Sequence, residues 1–125
     1  MERVLIVSNR LPVSVEVGED GFDLIPSVGG LATGLRSFYR SYDSRWIGWP
    51  GVPAEACRGL DGLRGGLAEH DCVPVDMSSE LLDGYYYGFS NRTVWPLFHS
   101  FQPFTEYRWD LWAAYVEANR RLAER

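Results

Sequence analysis

The run Val4-Leu5-Ile6-Val7 constrains the fold of this chain more than any other stretch. It is continuously apolar and rich in β-branched residues, the pattern of a strand covered on both faces in a parallel sheet. It stops abruptly at Ser8-Asn9-Arg10. In open α/β sheets ligands gather beyond the carboxyl ends of the strands, so polar residues at this place are candidates for a site.

The residues that follow extend the α/β pattern. Val13, Val15 and Val17 alternate with Ser14 and Glu16, Gly18-Glu19-Asp20-Gly21 supplies turn chemistry, and Phe22 and Leu24 alternate again. This predicts a β-hairpin inserted after the first strand. Beyond Ser27-Val28-Gly29-Gly30, the spacing of Leu31, Leu35, Phe38 and Tyr42 predicts a helix with those residues on one face and the glycines at its entrance. Arg45-Trp46-Ile47-Gly48-Trp49 reads as the next strand, closed by Pro50-Gly51, and residues 53–66 leave room for a short helix and a loop. Cys72-Val73-Pro74-Val75 reads as a third strand, and Pro74, which cannot donate to a ladder, places it at a sheet edge. Ser78 and Ser79 can cap a helix running through Leu81, Leu82 and Tyr85. A last helix runs from Trp109 through Leu111, Trp112, Tyr115, Val116, Asn119, Leu122 and Ala123. No Gly or Pro stops it before Arg125, so the chain is expected to end inside a larger architecture. At 125 residues the chain has room for one domain and one core.

Charge removes several function classes. A net charge of −5 with no basic block excludes a nucleic-acid partner, which needs clustered cations to displace counterions. All 12 cationic side chains are Arg, so no lysine nucleophile or Schiff base is available. The four-residue apolar run is too short for a signal-peptide core or a membrane span, so the protein is expected in the cytoplasm without a membrane partner. The two cysteines, Cys57 and Cys72, are too few for a secreted disulfide framework and are expected as inert thiols.

Taken singly, the candidate residues leave alternatives open. Arg10 at a strand end could hold a phosphate or carboxylate with paired N–H groups, or form a surface salt bridge. Glycines at a helix entrance let an anionic ligand approach free N–H groups, or form a plain turn; Gly29, Gly30 and Gly34 do not have the dinucleotide-binding spacing. The aromatic segment from Tyr85 to His99 supplies core packing, ligand platforms, or both. His70, Cys57 and Cys72 lack the paired short spacings of a zinc site, so no metal is expected. His99 has no Ser or Cys nucleophile partner and reads as a satisfied, half-buried histidine.

In order, Val7-Ser8-Asn9-Arg10-Leu11-Pro12, Gly29-Gly30-Leu31, Trp46-Ile47-Gly48-Trp49-Pro50-Gly51, and Tyr85-Tyr86 with Phe89-Ser90-Asn91 and Trp95-Pro96-Leu97-Phe98-His99 closely resemble the opening of the trehalose-6-phosphate synthase family. The resemblance covers nearly the whole chain, with residues 53–66 contributing little. It implies a retaining glycosyltransferase of two Rossmann-like domains (GT-B). Residues 1–125 would form a C-terminally truncated, acceptor-side N-terminal domain, with the donor domain absent. The implied reaction moves glucose from UDP-glucose to glucose 6-phosphate, giving trehalose 6-phosphate and UDP, with no metal or other cofactor and no protein nucleophile.

By match to the family motifs, Arg10 and Tyr86 would hold the acceptor phosphate, Trp95 would lie near the acceptor sugar, and Gly29 and Gly30 would lie beside the donor. Trp49 stands behind these as a further candidate. The catalytic groups and the basic pair that stabilises the leaving diphosphate would lie beyond residue 125, leaving this segment inactive by itself. Two alternatives remain: a related synthase with another acceptor, such as a glucosylglycerol-phosphate synthase or a pseudo-glycosyltransferase, and a non-catalytic module that binds sugar phosphate or regulates a complete synthase subunit. Homo-oligomerisation of the full-length enzyme stays open.

Overall fold

The computed structural model describes residues 2–125. They fall into two compact units, one reaching Asp76 together with Arg125, the other Met77–Glu124.

The first unit is built on a three-stranded parallel sheet. Strands β1 (Arg3–Arg10), β4 (Asp43–Trp49) and β5 (Cys72–Pro74) lie in the order β1-β4-β5. Between β1 and β4 come a hairpin of β2 (Val13–Gly18) and β3 (Gly21–Pro26) and the helix α1 (Gly30–Tyr39). Short helices α2 (Ala54–Cys57) and α3 (Leu63–Glu69) precede β5. The strand at Cys72 is indeed an edge, as Pro74 requires. Residues 53–66 hold the expected short helix and also the start of a second.

The core gathers Leu11, Val15, Trp46, Leu63, Leu67 and Cys72, with Ile6, Phe22, Leu24, Leu35 and Tyr39 packed against them. Leu11 and Leu67, 1% and 0% exposed, each contribute roughly 1.5–3 kcal/mol by leaving water. Hairpin, α1 and α3 therefore all supply side chains to the cluster on the Ile6–Trp46 side of the sheet. The opposite side of β1 lacks such a layer: Leu5 and Val7 are 61% and 54% exposed. Two-sided cover expected for β1 is thus not found among the described residues, where its positions alternate between half-buried and exposed.

Helix α1 also buries a different face from the one its spacing predicts. Leu31, Phe38 and Tyr42 are exposed, Tyr42 lies beyond the helix end, Leu35 and Tyr39 pack against the core, and Ala32 is buried. Residues 32, 35 and 39 define a helical face as well as 31, 35 and 38 do. The small Ala32 permits close approach, and Tyr39 meets Trp46 edge-on at 5.3 Å between ring centroids.

The second unit is helical: α4 (Ser79–Gly84), a π-helix (Tyr85–Val94), α5 (Trp95–Phe98), a 3₁₀ turn (Gln102–Phe104) and α6 (Trp109–Ala123). Ser78 caps α4 as its sequence indicates, its hydroxyl accepting from the Leu81 N–H at 3.1 Å. Tyr85 anchors the unit at 1% exposure, with Phe89 edge-on to Trp112 and tilted against Tyr115 of α6. Of the face predicted for α6, Leu111 and Leu122 are buried, joined by Ala118, whereas Trp112 and Val116 are largely exposed.

Candidate functional site

At the carboxyl end of β1, sequence and backbone geometry combine to aim Arg10. Val7 pairs with Ile47 and Arg10 with Trp49, so Ser8 and Asn9 oppose the single residue Gly48. This is a β-bulge, a device that re-aims a side chain. Glycine is required at its centre: a Cβ on Gly48 would lie 2.7 Å from the Ser8 carbonyl oxygen and 3.1 Å from the Arg10 carbonyl carbon. The bulge is pinned by the Trp46 indole N–H donating to the Ser8 hydroxyl at 2.7 Å, and by that hydroxyl donating to the Arg10 carbonyl.

The Arg10 guanidinium lies 5.5 Å from the Trp49 ring centroid, and Trp49 is itself fixed by its indole N–H donating to the Val52 carbonyl at 2.8 Å. On another side, Gly51 at φ +90 leaves the space that Arg10 fills, since a Cβ there would come within 2.8 Å of a guanidinium nitrogen. That nitrogen donates to the Ser14 hydroxyl at 2.9 Å. Among the described residues no carboxylate pairs with Arg10, so the salt-bridge alternative finds no partner among them. An exposed, oriented and uncompensated guanidinium is suited to an external anion.

Gly29 and Gly30 lie at the N-terminal end of α1. Gly29 is extended at φ −133, a backbone that any residue adopts, and a Cβ on either glycine would meet nothing within 4 Å. Neither turn strain nor packing inside this chain explains these glycines. No side chain caps the helix there and its first turn carries no acidic residue, so the first-turn N–H groups lack a capping side chain.

The structure brings Arg10 and Trp49 into contact and places them, with Gly29 and Gly30, in the first unit; Tyr86 and Trp95 lie in the second. Tyr86 sits half-buried in the π-helix, edge-on to Tyr87 at 5.1 Å. Extended π-helical geometry is rare and concentrates at functional sites. Trp95 is 51% exposed, stacked on His99 at 4.1 Å and parallel to Phe101 at 6.0 Å. His99 is satisfied by Nδ1–H donating to the Trp95 carbonyl at 2.7 Å, but it is exposed and not half-buried, because α5 ends there. Burial raises the Tyr85 phenol to about 12, keeping it neutral, and raises the Cys72 thiol to about 11. Cys57 is raised as well, first by burial and then by Asp76. Neither thiol is activated.

Residues 2–125 match the profile of glycosyltransferase family 20. The chain belongs to that family. It is 41% identical over 126 residues to the UDP-forming alpha,alpha-trehalose-phosphate synthase of Emericella nidulans, a match covering 98% of this chain and 24% of that protein. It is 40% identical over 131 residues to the bifunctional trehalose-6-phosphate synthase/phosphatase of Thermoproteus tenax, covering 98% and 17%. Among solved structures, a UDP-forming alpha,alpha-trehalose-phosphate synthase from Burkholderia vietnamiensis superposes with a TM-score of 0.65 at 30% identity, covering 99% of this chain and 25% of that one. An E. coli trehalose-6-phosphate structure bound with UDP-2-fluoro glucose gives 0.65 at 26% identity, covering 98% and 24%.

This family 20 chain thus spans about a quarter of the length of most of these relatives. Its parallel sheet with an inserted hairpin is part of a Rossmann-like domain of the GT-B architecture. No helix among the described residues is long and apolar enough to cross a membrane.

Sequence reasoning passed over four residues that shape the Arg10 site. Ser14 reads as an ordinary polar position of an alternating strand, and Ser27 as a spacer before the glycines. Gly48 reads as part of a motif without a stated role, and Gly51 only as part of the Pro50-Gly51 stop after the strand. A small residue between two large aromatics, Trp46 and Trp49, is the available signal of close backbone approach at Gly48.

Proposed function

We propose that this chain forms the acceptor-side part of a UDP-forming alpha,alpha-trehalose-phosphate synthase of the cytoplasm, with UDP-glucose and glucose 6-phosphate as substrates and trehalose 6-phosphate and UDP as products. The observation that carries the reading is Arg10: an exposed guanidinium, aimed by a bulge and lacking a carboxylate among the described residues, in a chain of family 20.

In this reading Arg10 and the Tyr86 hydroxyl hold the acceptor's phosphate, Trp95 offers its exposed ring to the acceptor sugar, and Trp49 carries Arg10. Gly29 and Gly30 leave the α1 entrance bare for the donor. The bond from the glucose anomeric carbon to UDP breaks and UDP leaves with the electron pair. A bond from that carbon to the acceptor hydroxyl oxygen forms on the same face, and the hydroxyl proton passes to the departing diphosphate oxygen. A phosphate held away from the reacting hydroxyl supplies binding energy for orientation. Stabilisation of the leaving diphosphate, often the largest catalytic contribution, falls to groups outside these 125 residues.

The test is product identification with the full-length protein, radiolabelled UDP-glucose and glucose 6-phosphate. A labelled trehalose phosphate is the expected product. Label appearing only when another acceptor, such as glycerol 3-phosphate, is supplied would assign the chain to a related synthase, and no transfer to any acceptor would favour a binding module.

A further inference from the structure

We propose that Ser14 and Ser27 are positioning residues, forming a one-way hydroxyl relay that sets the direction of Arg10 and ties it to the segment entering Gly29-Gly30. The inference rests on the reading of Arg10 as the acceptor-phosphate anchor.

Three distances define the relay. Arg10 donates to the Ser14 hydroxyl at 2.9 Å, the Ser14 and Ser27 hydroxyls lie 2.9 Å apart, and the Ser27 hydroxyl reaches the Leu11 carbonyl at 3.0 Å. Its direction follows from the inventory of protons. A carbonyl only accepts, so the single hydroxyl proton of Ser27 goes to Leu11. Ser27 must then accept from Ser14, whose own proton is thereby committed. Ser14 is left with lone pairs alone to offer, and a guanidinium, which only donates, is the complementary partner. Within this chain Arg10 supplies the donor that the Ser14 lone pairs face.

The far end of the relay is fixed in the backbone. The Ser27 N–H donates to the Pro12 carbonyl at 2.7 Å, so the residue leaving β3 is clamped twice to the segment that follows Arg10. Ser14 stands on β2 opposite Ile25, and Ser27 directly follows β3, so one hydroxyl is carried by the hairpin and the other by its exit. With Trp49 and Gly51 limiting the guanidinium elsewhere, one nitrogen is engaged and the remaining N–H groups have no partner among the described residues. A long side chain ordered before its ligand arrives loses less freedom on binding. The hairpin inserted after β1 thus acquires a purpose: it carries Ser14 and delivers Ser27 at its exit, the two hydroxyls that orient the anchor.

The test uses the full-length protein and calorimetric titration with glucose 6-phosphate and, separately, UDP, so that it does not depend on turnover. Ser14→Ala is expected to weaken glucose 6-phosphate binding about threefold to tenfold, the worth of one ordinary hydrogen bond, and to leave UDP binding and the melting temperature unchanged. Ser14→Thr, which keeps the hydroxyl, restores the affinity. Ser27→Ala, which removes only the backing of Ser14, shifts it in the same direction by less. In an Arg10→Ala background, Ser14→Ala adds nothing further, because Ser14 acts through Arg10. If Arg10→Ala weakens glucose 6-phosphate binding while both serine variants leave it unchanged, the relay is refuted and the anchor stands. If Ser14→Ala weakens both ligands equally and lowers the melting temperature, the serine is only structural and the inference fails. If Arg10→Ala itself changes nothing, the anchor reading falls and takes the relay with it.

Discussion

At the scale of single residues, Gly48 shows how one missing carbon positions a charge. Because its Cβ would stand 2.7 Å from backbone oxygen, Gly48→Ala must push β1 from β4, at a cost of about 1–3 kcal/mol and with Arg10 displaced. Thermal denaturation is expected to show a clearly lowered melting temperature, whereas Gly29→Ala, with open space around it, leaves stability within about 1 kcal/mol. Tyr85 offers a second check through its titration. Its phenol is raised from 10.0 to about 12, chiefly by burial and then by Tyr115 and Tyr86. A folded pKa above the unfolded one means that the stabilisation is whole below pH 10 and is lost as pH rises toward 12. Absorbance at alkaline pH should show a tyrosine that ionises late, together with unfolding, and Tyr85→Phe should remove that late step.

At the scale of elements, periodicity made the strands, the hairpin and the capped α4 legible because each has a local cause. Val13, Val15 and Val17 alternate, Gly18 and Gly21 close the turn, and Ser78 precedes the helix it caps. What periodicity could not decide was which apolar side finds a partner. In β1, α1 and α6 apolar residues lie on more than one side, and the buried set depends on tertiary neighbours that no local pattern encodes. The π-helix was equally hidden, since Tyr85–Val94 has no ordinary helical signature. Its register depends on close packing: a Cβ on Gly88 would meet the Asp83 carbonyl oxygen at 2.6 Å and Leu111 at 2.8 Å. Gly88→Ala is therefore expected to destabilise the second unit by about 1–3 kcal/mol and to reduce its aromatic near-ultraviolet dichroism. Ser78→Ala, removing the cap of α4, is expected to cost about 1 kcal/mol in the same measurement.

At the scale of the whole molecule, a chain of net charge −5 carries an oriented, uncompensated cation at a strand end, which the proposed function reads as the acceptor-phosphate anchor. The candidate site was legible to the extent that Arg10, Gly29, Gly30, Trp49, Tyr86 and Trp95 stand in recognisable motifs. The supports of Arg10 were not, because Ser14, Ser27 and Gly51 meet it only through the fold. The 125 residues alone are expected to give no transfer above background with UDP-glucose and glucose 6-phosphate, since they span about a quarter of most of the matched relatives.

The most direct measurement is the preference of the full-length protein for glucose 6-phosphate over glucose, taken as a ratio of kcat/KM values with and without Arg10→Ala. A phosphate anchor of charge-assisted hydrogen bonds is worth roughly 1.5–3 kcal/mol, so the variant should lose about 10- to 100-fold of that preference while reaction with glucose itself is little changed. An unchanged ratio would contradict the assignment of Arg10, and with it the acceptor-side role of this chain.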